Sequence, residues 1–287
     1  MTTLIEPPAI PSSPGIRALE LEITGKCQLM CTHCLTESSP QATHGTMTPE
    51  DWRTVITDAA GLGVGTIQLI GGEPTVHPHW REFAELALSL GQRVEVFSNL
   101  FHVKPEWWDM FTRDGVTLGT SYYSDDPEEH DKVTRRRGSY ARTRANIEKA
   151  LSLNVPLRVG MVDVLPGQRI DAGRAELESM GVRLINSDRA RAVGRAALPG
   201  VAPSLDDLCG WCTRNRAAVL PNGDLSGCVL SRNFAVGNVR RTRLAELLGG
   251  QEWAHLAASV PVPQGSCQPN DSEDCDPKDT PACLPAY

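Results

Sequence analysis

The chain has 287 residues, 35 acidic and 28 basic side chains, and a formal net charge of -7. That length supports one large or two modest domains with a sizeable core. The acidic balance excludes a sequence-independent nucleic-acid binder, which needs a basic face. No run of about 18 apolar residues occurs, so no membrane span is expected. Met1 to Ile16 lacks the charged-then-apolar plan of a signal peptide. A cytoplasmic chain with reduced thiols is therefore expected, with neither nucleic acid nor membrane as partner.

In chain order, Arg17 to Thr24 alternates apolar and polar residues and predicts a strand. Thr48 can cap a helix in which Pro49 takes the first position and Asp51 returns a capping-box bond. Trp52, Val55, Ile56 and Ala59 form its apolar face. Thr66 to Ile70 predicts a strand that runs into Gly71-Gly72, and Trp80, Phe83, Ala87 and Leu90 mark a second helix. A strand over Arg93 to Phe97, a helix over Lys104 to Thr112 and a strand over Val116 to Tyr122 follow. Then come a helix over Tyr140 to Leu153, a strand over Leu157 to Leu165, a helix over Ala172 to Met180 and a strand over Val182 to Ile185.

About six repeated β/α units imply a parallel sheet with helical crossovers. A full eight-unit barrel takes about 250 residues, so the expected fold class is α/β, a partial TIM-like barrel of six units. The Gly-, Pro- and Ala-rich stretch Ala190 to Ser204 is the expected boundary. The division is then residues 1–16 as an extension, 17–200 as barrel and 201–287 as a small cysteine-rich domain. In the last, Ala217 to Leu220 and Leu225 to Leu230 predict a β-hairpin, with Asn222-Gly223 as a type I′ turn.

Nine cysteines fall into two groups, Cys27, Cys31 and Cys34 early, and Cys209, Cys212, Cys228, Cys267, Cys275 and Cys283 late. In a reducing compartment such a distribution points to metal or cluster ligation. The first group reads C-x3-C-x2-C directly after the first strand. Three thiolates are too few for a closed zinc site, which takes four. A 4Fe–4S cluster held by three cysteines keeps one iron open to an exogenous ligand. A partial zinc knuckle or coincidental cysteines are the alternatives at this point.

With Gly71-Gly72-Glu73-Pro74 after the second strand, these residues resemble the radical S-adenosylmethionine (SAM) superfamily. C-x3-C-x2-C is its signature, His33 fills a position usually aromatic, and the turn resembles its GGEP motif. The resemblance implies a 4Fe–4S cluster on Cys27, Cys31 and Cys34, with SAM chelating the open iron. The turn and Glu73 would then hold the SAM amino group. A carboxylate suits an ammonium partner, and glycines allow close backbone approach. Reductive cleavage would yield a 5′-deoxyadenosyl radical that takes a substrate hydrogen, with an electron donor such as flavodoxin or ferredoxin.

His33, Ser98, Asn99 and Ser121 are further SAM-contact candidates; for the strand-end residues, capping is the alternative. His130-Asp131 and Arg135 to Tyr140 resemble another family segment, whose basic residues are otherwise solvated. Gly160 to Val164 resembles the strand that lies against adenine. Tyr122, Tyr123, Asp125 and Asp163 are candidates to face substrate, with packing or capping as the alternative.

Cys212 and Cys228, in a C-x10-G-x4-C pattern with Gly223, resemble the opening of SPASM and twitch domains, which hold auxiliary iron–sulfur clusters. Arg191 to Arg195 resembles a segment common before them. All six late cysteines are ligand candidates, for one auxiliary cluster or two. The alternative is a zinc ribbon, since Cys209-x2-Cys212 is a common zinc half-site.

The resemblance implies modification of a ribosomally made peptide by crosslinking, epimerisation or oxidation. A small-molecule dehydrogenase of aminocyclitol type and a zinc-containing binding protein are the competing readings. Only about 16 residues precede the first strand, so a peptide substrate is expected to need a separate leader-binding protein or to dock on the barrel and tail.

Overall fold

The structure is a computed structural model and describes residues 15–262. Cys267, Cys275 and Cys283 lie outside the described residues. Six strands, β1 (Ala18–Glu22), β2 (Thr66–Ile70), β3 (Arg93–Phe97), β4 (Val116–Tyr122), β5 (Leu157–Asp163) and β6 (Leu184–Arg189), pair in parallel and in sequence order. Parallel pairing puts all their C-terminal ends on one rim. The helices α1 (Pro49–Gly61), α2 (Trp80–Ser89), α3 (Trp108–Phe111), α4 (Pro127–Thr134), α5 (Ser139–Ser152) and α6 (Ile170–Met180) lie in the crossovers. This is the partial α/β barrel expected.

Past the barrel, β7 (Arg216–Val219) adds in parallel to the open edge of β1, with Ala18 opposite Arg216. It then pairs antiparallel with β8 (Asp224–Ser226), and β8 pairs with β9 (Gly237–Asn238). One nine-stranded sheet therefore carries both the barrel and the hairpin. Two short helices, α7 (Leu244–Leu248) and α8 (Gln251–Ser259), complete the described chain. Among the described residues, no helix is long and apolar enough to cross a membrane.

Strand alternation builds two different faces. Leu19, Leu21, Ile67, Leu69, Val94 and Val96 are buried in the main apolar core with Trp52, Ile56 and Phe83 of the helices. The intervening residues Glu20, Gln68 and Glu95 are polar or charged and also buried. Glu95 takes a two-pronged bond from Arg158, at 2.5 and 3.1 Å, and a third from Gln68 at 2.6 Å. Arg216 reaches Glu20 at 3.3 Å, and Arg232 reaches Glu22 at 2.8 Å. Burial pushes the Glu20 and Glu22 carboxyls up, against the opposing pull of those arginines. Gly119 makes room for this layer, because a Cβ there would sit 2.4 Å from the Phe97 ring.

Several local expectations change. Thr48 and Asp51 do form a capping box. The expected helix over Lys104 to Thr112 breaks into a 3-10 turn, Pro105–Trp107, and the short α3. Helix α4 went unrecognised, although Asp126 caps Glu129 N at 2.8 Å and Pro127 opens the helix. The last barrel strand begins at Leu184, because Val182 still closes the end of α6 through Leu177. The hairpin turn is not type I′. Gly223 donates to the Leu220 carbonyl at 2.8 Å, and only Gly223 of the Asn-Gly pair has positive φ, +90°. Pro221 dictates this, since its fixed negative φ suits the second position of a four-residue turn closed by a left-handed glycine. The strand expected to run from Leu225 to Leu230 ends at Ser226, and a 3-10 turn, Val229–Ser231, follows Cys228.

Candidate active site

The cysteine loop leaves β1 at the rim. Cys27, Cys31 and Cys34 line one cavity there, together with His33, Gly71, Gly72, Asn99 and Ser121. Burial pushes the Cys31 thiol up to about 12, and drives Cys27 higher still, with Glu73 and the neighbouring thiols adding to the effect. Such thiols stay protonated until a cation compensates them. Among the described residues, no three His, Cys, Asp or Glu side chains already converge at metal-ligand distance. All three cysteines nevertheless line one cavity, and thiolate sulfur is the donor an iron–sulfur cluster takes.

The glycines of the Gly-Gly-Glu-Pro turn serve the protein's own packing. Gly72 N donates to the Thr24 carbonyl at 2.7 Å, and Glu73 N to the Lys26 carbonyl at 2.9 Å. A Cβ on Gly71 would lie 2.4 Å from the Thr24 oxygen, and one on Gly72 2.5 Å from the Lys26 oxygen. The turn is thus laid against the entry of the cysteine loop, backbone to backbone. Glu73 is fully buried, and burial raises its carboxyl pKa. One oxygen accepts from Thr75 N and Oγ1 at 3.1 and 2.7 Å; the other accepts from Asn99 N at 2.8 Å. Glu73, Pro74 and Ser98 are buried outside the cavity lining, and Ser98 Oγ caps Leu100 N at 3.1 Å. Asn99 faces the cavity. Its Nδ2 stands 3.5 Å from Cys27 Sγ, and its Oδ1 accepts from Gln28 Nε2 at 3.2 Å and Phe101 N at 2.9 Å.

Among the described residues, two buried nitrogens in the cavity lining, His33 Nδ1 and His130 Nε2, have no hydrogen-bond partner. Burial lowers the pKa of each ring to about 4, so both are neutral near pH 7. The tautomer of His130 follows from its neighbours. Ser139 has one hydroxyl proton and gives it to Asp131 Oδ1 at 2.9 Å. The bond between Ser139 Oγ and His130 Nδ1, at 3.1 Å, is then donated by the imidazole. Nε2 is left as a lone-pair acceptor on the cavity wall. Asp131 holds this corner by also accepting from Gly138 N at 2.5 Å and Tyr140 N at 2.9 Å.

Of the residues expected to face substrate, Tyr123 lines the cavity, with its ring edge against His33 at 5.2 Å. Tyr122 and Asp125 are engaged in structure, with Glu176 at 2.5 Å and Arg169 at 2.6 Å respectively. Asp163 is exposed at the end of β5, and Gly160 is buried within it. Arg135, Arg136 and Arg137 are exposed, and the Arg136 guanidinium lies 5.2 Å from the Phe101 ring centroid.

The late cysteines converge in part. Cys212 and Cys228 meet sulfur to sulfur, with Cα atoms 5.0 Å apart. Cys209 joins them in one buried apolar cluster with Val193, Leu208 and Leu230. Arg195 was missed as a contact of the first site. Its guanidinium donates to the backbone carbonyls of Cys31 and Ser38.

The radical SAM superfamily model matches residues 21–175, more than half of the chain, and an iron–sulfur cluster-binding domain model, SPASM, matches residues 209–276. The chain belongs to the radical SAM superfamily and carries a SPASM domain. It is similar to the antilisterial bacteriocin subtilosin biosynthesis protein AlbA of Bacillus subtilis, 31% identical over 49% of this chain and 32% of that one. It is also similar to the PqqA peptide cyclase of Ruegeria pomeroyi, 26% identical over 73% of this chain and 52% of that one. The chain thus spans a third to a half of the length of these relatives. Among solved structures, Streptococcus suis SuiB bound to precursor peptide SuiA superposes with a TM-score of 0.69 at 14% identity, over 85% of this chain and 66% of that one. That likeness shows the partial-barrel fold.

Proposed function

We propose that this chain is a radical SAM enzyme that modifies a ribosomally made peptide by crosslinking, epimerisation or oxidation. One observation carries the reading: three cysteines of a C-x3-C-x2-C loop and the two glycines of the Gly-Gly-Glu-Pro turn border one cavity at the strand C-termini. When bound there, a 4Fe–4S cluster and SAM supply reductive C–S cleavage and hydrogen-atom abstraction. The protein's own residues bind, orient and exclude water. Cys27, Cys31 and Cys34 would hold the cluster. The Gly71–Pro74 turn fixes the entry of their loop, and Glu73 fixes Asn99 beside Cys27. His33, Asn99, Ser121 and the lone pair of His130 are the polar groups available to SAM.

Similarity to the bacteriocin biosynthesis protein AlbA and to the PqqA peptide cyclase supports a peptide substrate. We assign Cys209, Cys212 and Cys228, with Cys267, Cys275 and Cys283, to an auxiliary cluster domain over 201–287, behind a barrel over 17–200. A flavodoxin- or ferredoxin-like donor supplies electrons. The test is anaerobic reconstitution with iron and sulfide, followed by SAM, reductant and the short peptides encoded beside the gene. The expected result is a mass change in one peptide, in step with 5′-deoxyadenosine release. Unchanged peptides, with oxidation of an aminocyclitol instead, would replace this reading by the small-molecule one.

A further inference from the structure

We infer that Arg195, in the segment that follows β6, is a positioning residue that fixes the cluster loop. The inference rests on the cluster assignment for Cys27, Cys31 and Cys34. The Arg195 guanidinium ends on two loop carbonyls, those of Cys31 and Ser38, and its backbone N donates to a third, that of Cys34, at 2.9 Å. These carbonyls belong to the second and third cysteines and to the residue that closes the loop.

The approach is too close for any side chain at the preceding position. Gly194 has φ +59°, and a Cβ there would lie 2.4 Å from the Leu35 oxygen and 2.5 Å from the Cys34 oxygen. The loop from Cys27 to Glu37 contains no helix or strand, only turns. Its shape therefore depends on what grips it from outside, and a planar fork that satisfies two carbonyls at once is a property of Arg and not of Lys.

The same grip has an electrostatic part. The guanidinium sits on the Cys31 carbonyl, so its fixed positive charge lies beside the loop that carries the three cysteines. A cation there favours reduction of a cluster held by that loop. Arg195 also joins the two cysteine sites. Val193, two residues earlier, packs in the cluster of Cys209, Cys212 and Cys228, and Leu35 of the loop packs against that cluster too. The segment that leads from β6 to the late cysteines is thus seated on the early ones.

The test compares Arg195→Ala and Arg195→Lys with the unaltered protein, in two measurements. The first is backbone amide exchange over residues 31–38 in the metal-free chain. Loss of charge-assisted bonds to the loop should speed exchange there about tenfold or more in both variants, while exchange in β1 to β6 stays unchanged. The second is the midpoint potential of the reconstituted cluster, read by its reduced-state electron paramagnetic resonance signal. Arg195→Ala should move the potential negative, because a cation is lost; Arg195→Lys should restore most of it while leaving the loop exchange fast. Unchanged exchange at 31–38 in Arg195→Ala would overturn the positioning role. An unchanged potential would overturn the electrostatic one. If the unaltered protein bound no cluster, the functional reading would fail, and the exchange experiment would still decide the grip.

Discussion

Glu73 accepts the backbone N–H of Asn99 at 2.8 Å, and Asn99 in turn brings its amide to 3.5 Å from Cys27 Sγ. The carboxylate thus works through the end of β3, at one remove from the cysteine. Replacing Glu73 by Ala leaves Asn99 N and Thr75 N without their buried acceptor. A loss of about 1–3 kcal/mol in the unfolding free energy of the metal-free protein is expected. Urea unfolding measures it, and an unchanged midpoint would mean that the carboxylate does not hold the turn.

Gly72 offers a sharper steric test. Its Cβ position lies 2.5 Å from the Lys26 oxygen and 2.8 Å from Ser38 Oγ, with backbone on one side. Gly72→Ala should push the turn off the loop entry and destabilise the fold by about 1–3 kcal/mol. SAM affinity, measured by calorimetry on the reconstituted protein, should fall with it. Gly61→Ala is the control, because nothing lies within 4 Å of that position and its φ is not positive.

The polar layer inside the barrel predicts asymmetric mutational costs. Glu95→Ala removes the carboxylate that pairs with buried Arg158 and should cost about 3–5 kcal/mol, whereas a matched apolar replacement of both partners should cost much less. Equilibrium unfolding of Glu95→Ala, Arg158→Met and a Glu95→Leu/Arg158→Met double variant measures the difference. Equal costs for the single and double changes would contradict the pairing.

Stability should also depend on pH through the buried imidazoles. His33 and His130 have folded pKa values near 4, below the ordinary 6.5. The unfolded chain therefore takes up protons first as pH falls. Their contribution is complete above about pH 6.5 and is lost as pH drops toward 4, by up to about 1.4 kcal/mol per pH unit for each ring. His130→Asn should flatten that slope in a series of urea melts between pH 7 and pH 4. A slope equal to that of the unaltered protein would show that His130 is not held neutral.

The barrel was legible because its signals are local. Thr48, Pro49 and Asp51 announce α1, and the apolar run Thr66 to Ile70 gives β2 its observed bounds. The same is true of the cysteine spacing and the Gly-Gly-Glu-Pro turn. What sequence could not supply was the direction of long-range contacts. The family resemblance points Glu73 toward a ligand amine, and the structure adds its bonds to Thr75 and Asn99, a pairing fixed only when β2 and β3 align. Pro221 overrode the Asn-Gly signal by fixing its own φ. Asp126-Pro127-Glu128-Glu129 carried a readable helix start for α4 that went unused. Arg195 lies 161 positions beyond Cys34, and no local pattern ties it to the loop it grips.

The most direct measurement of the central claim is 5′-deoxyadenosine release from SAM by the reconstituted, reduced protein, with iron counted on the same sample. The account predicts release by the unaltered chain. It predicts none from a Cys27→Ala/Cys31→Ala/Cys34→Ala variant that still retains the iron bound by the late cysteines. Equal release by that variant would contradict the assignment of the first loop as the SAM-cleaving site.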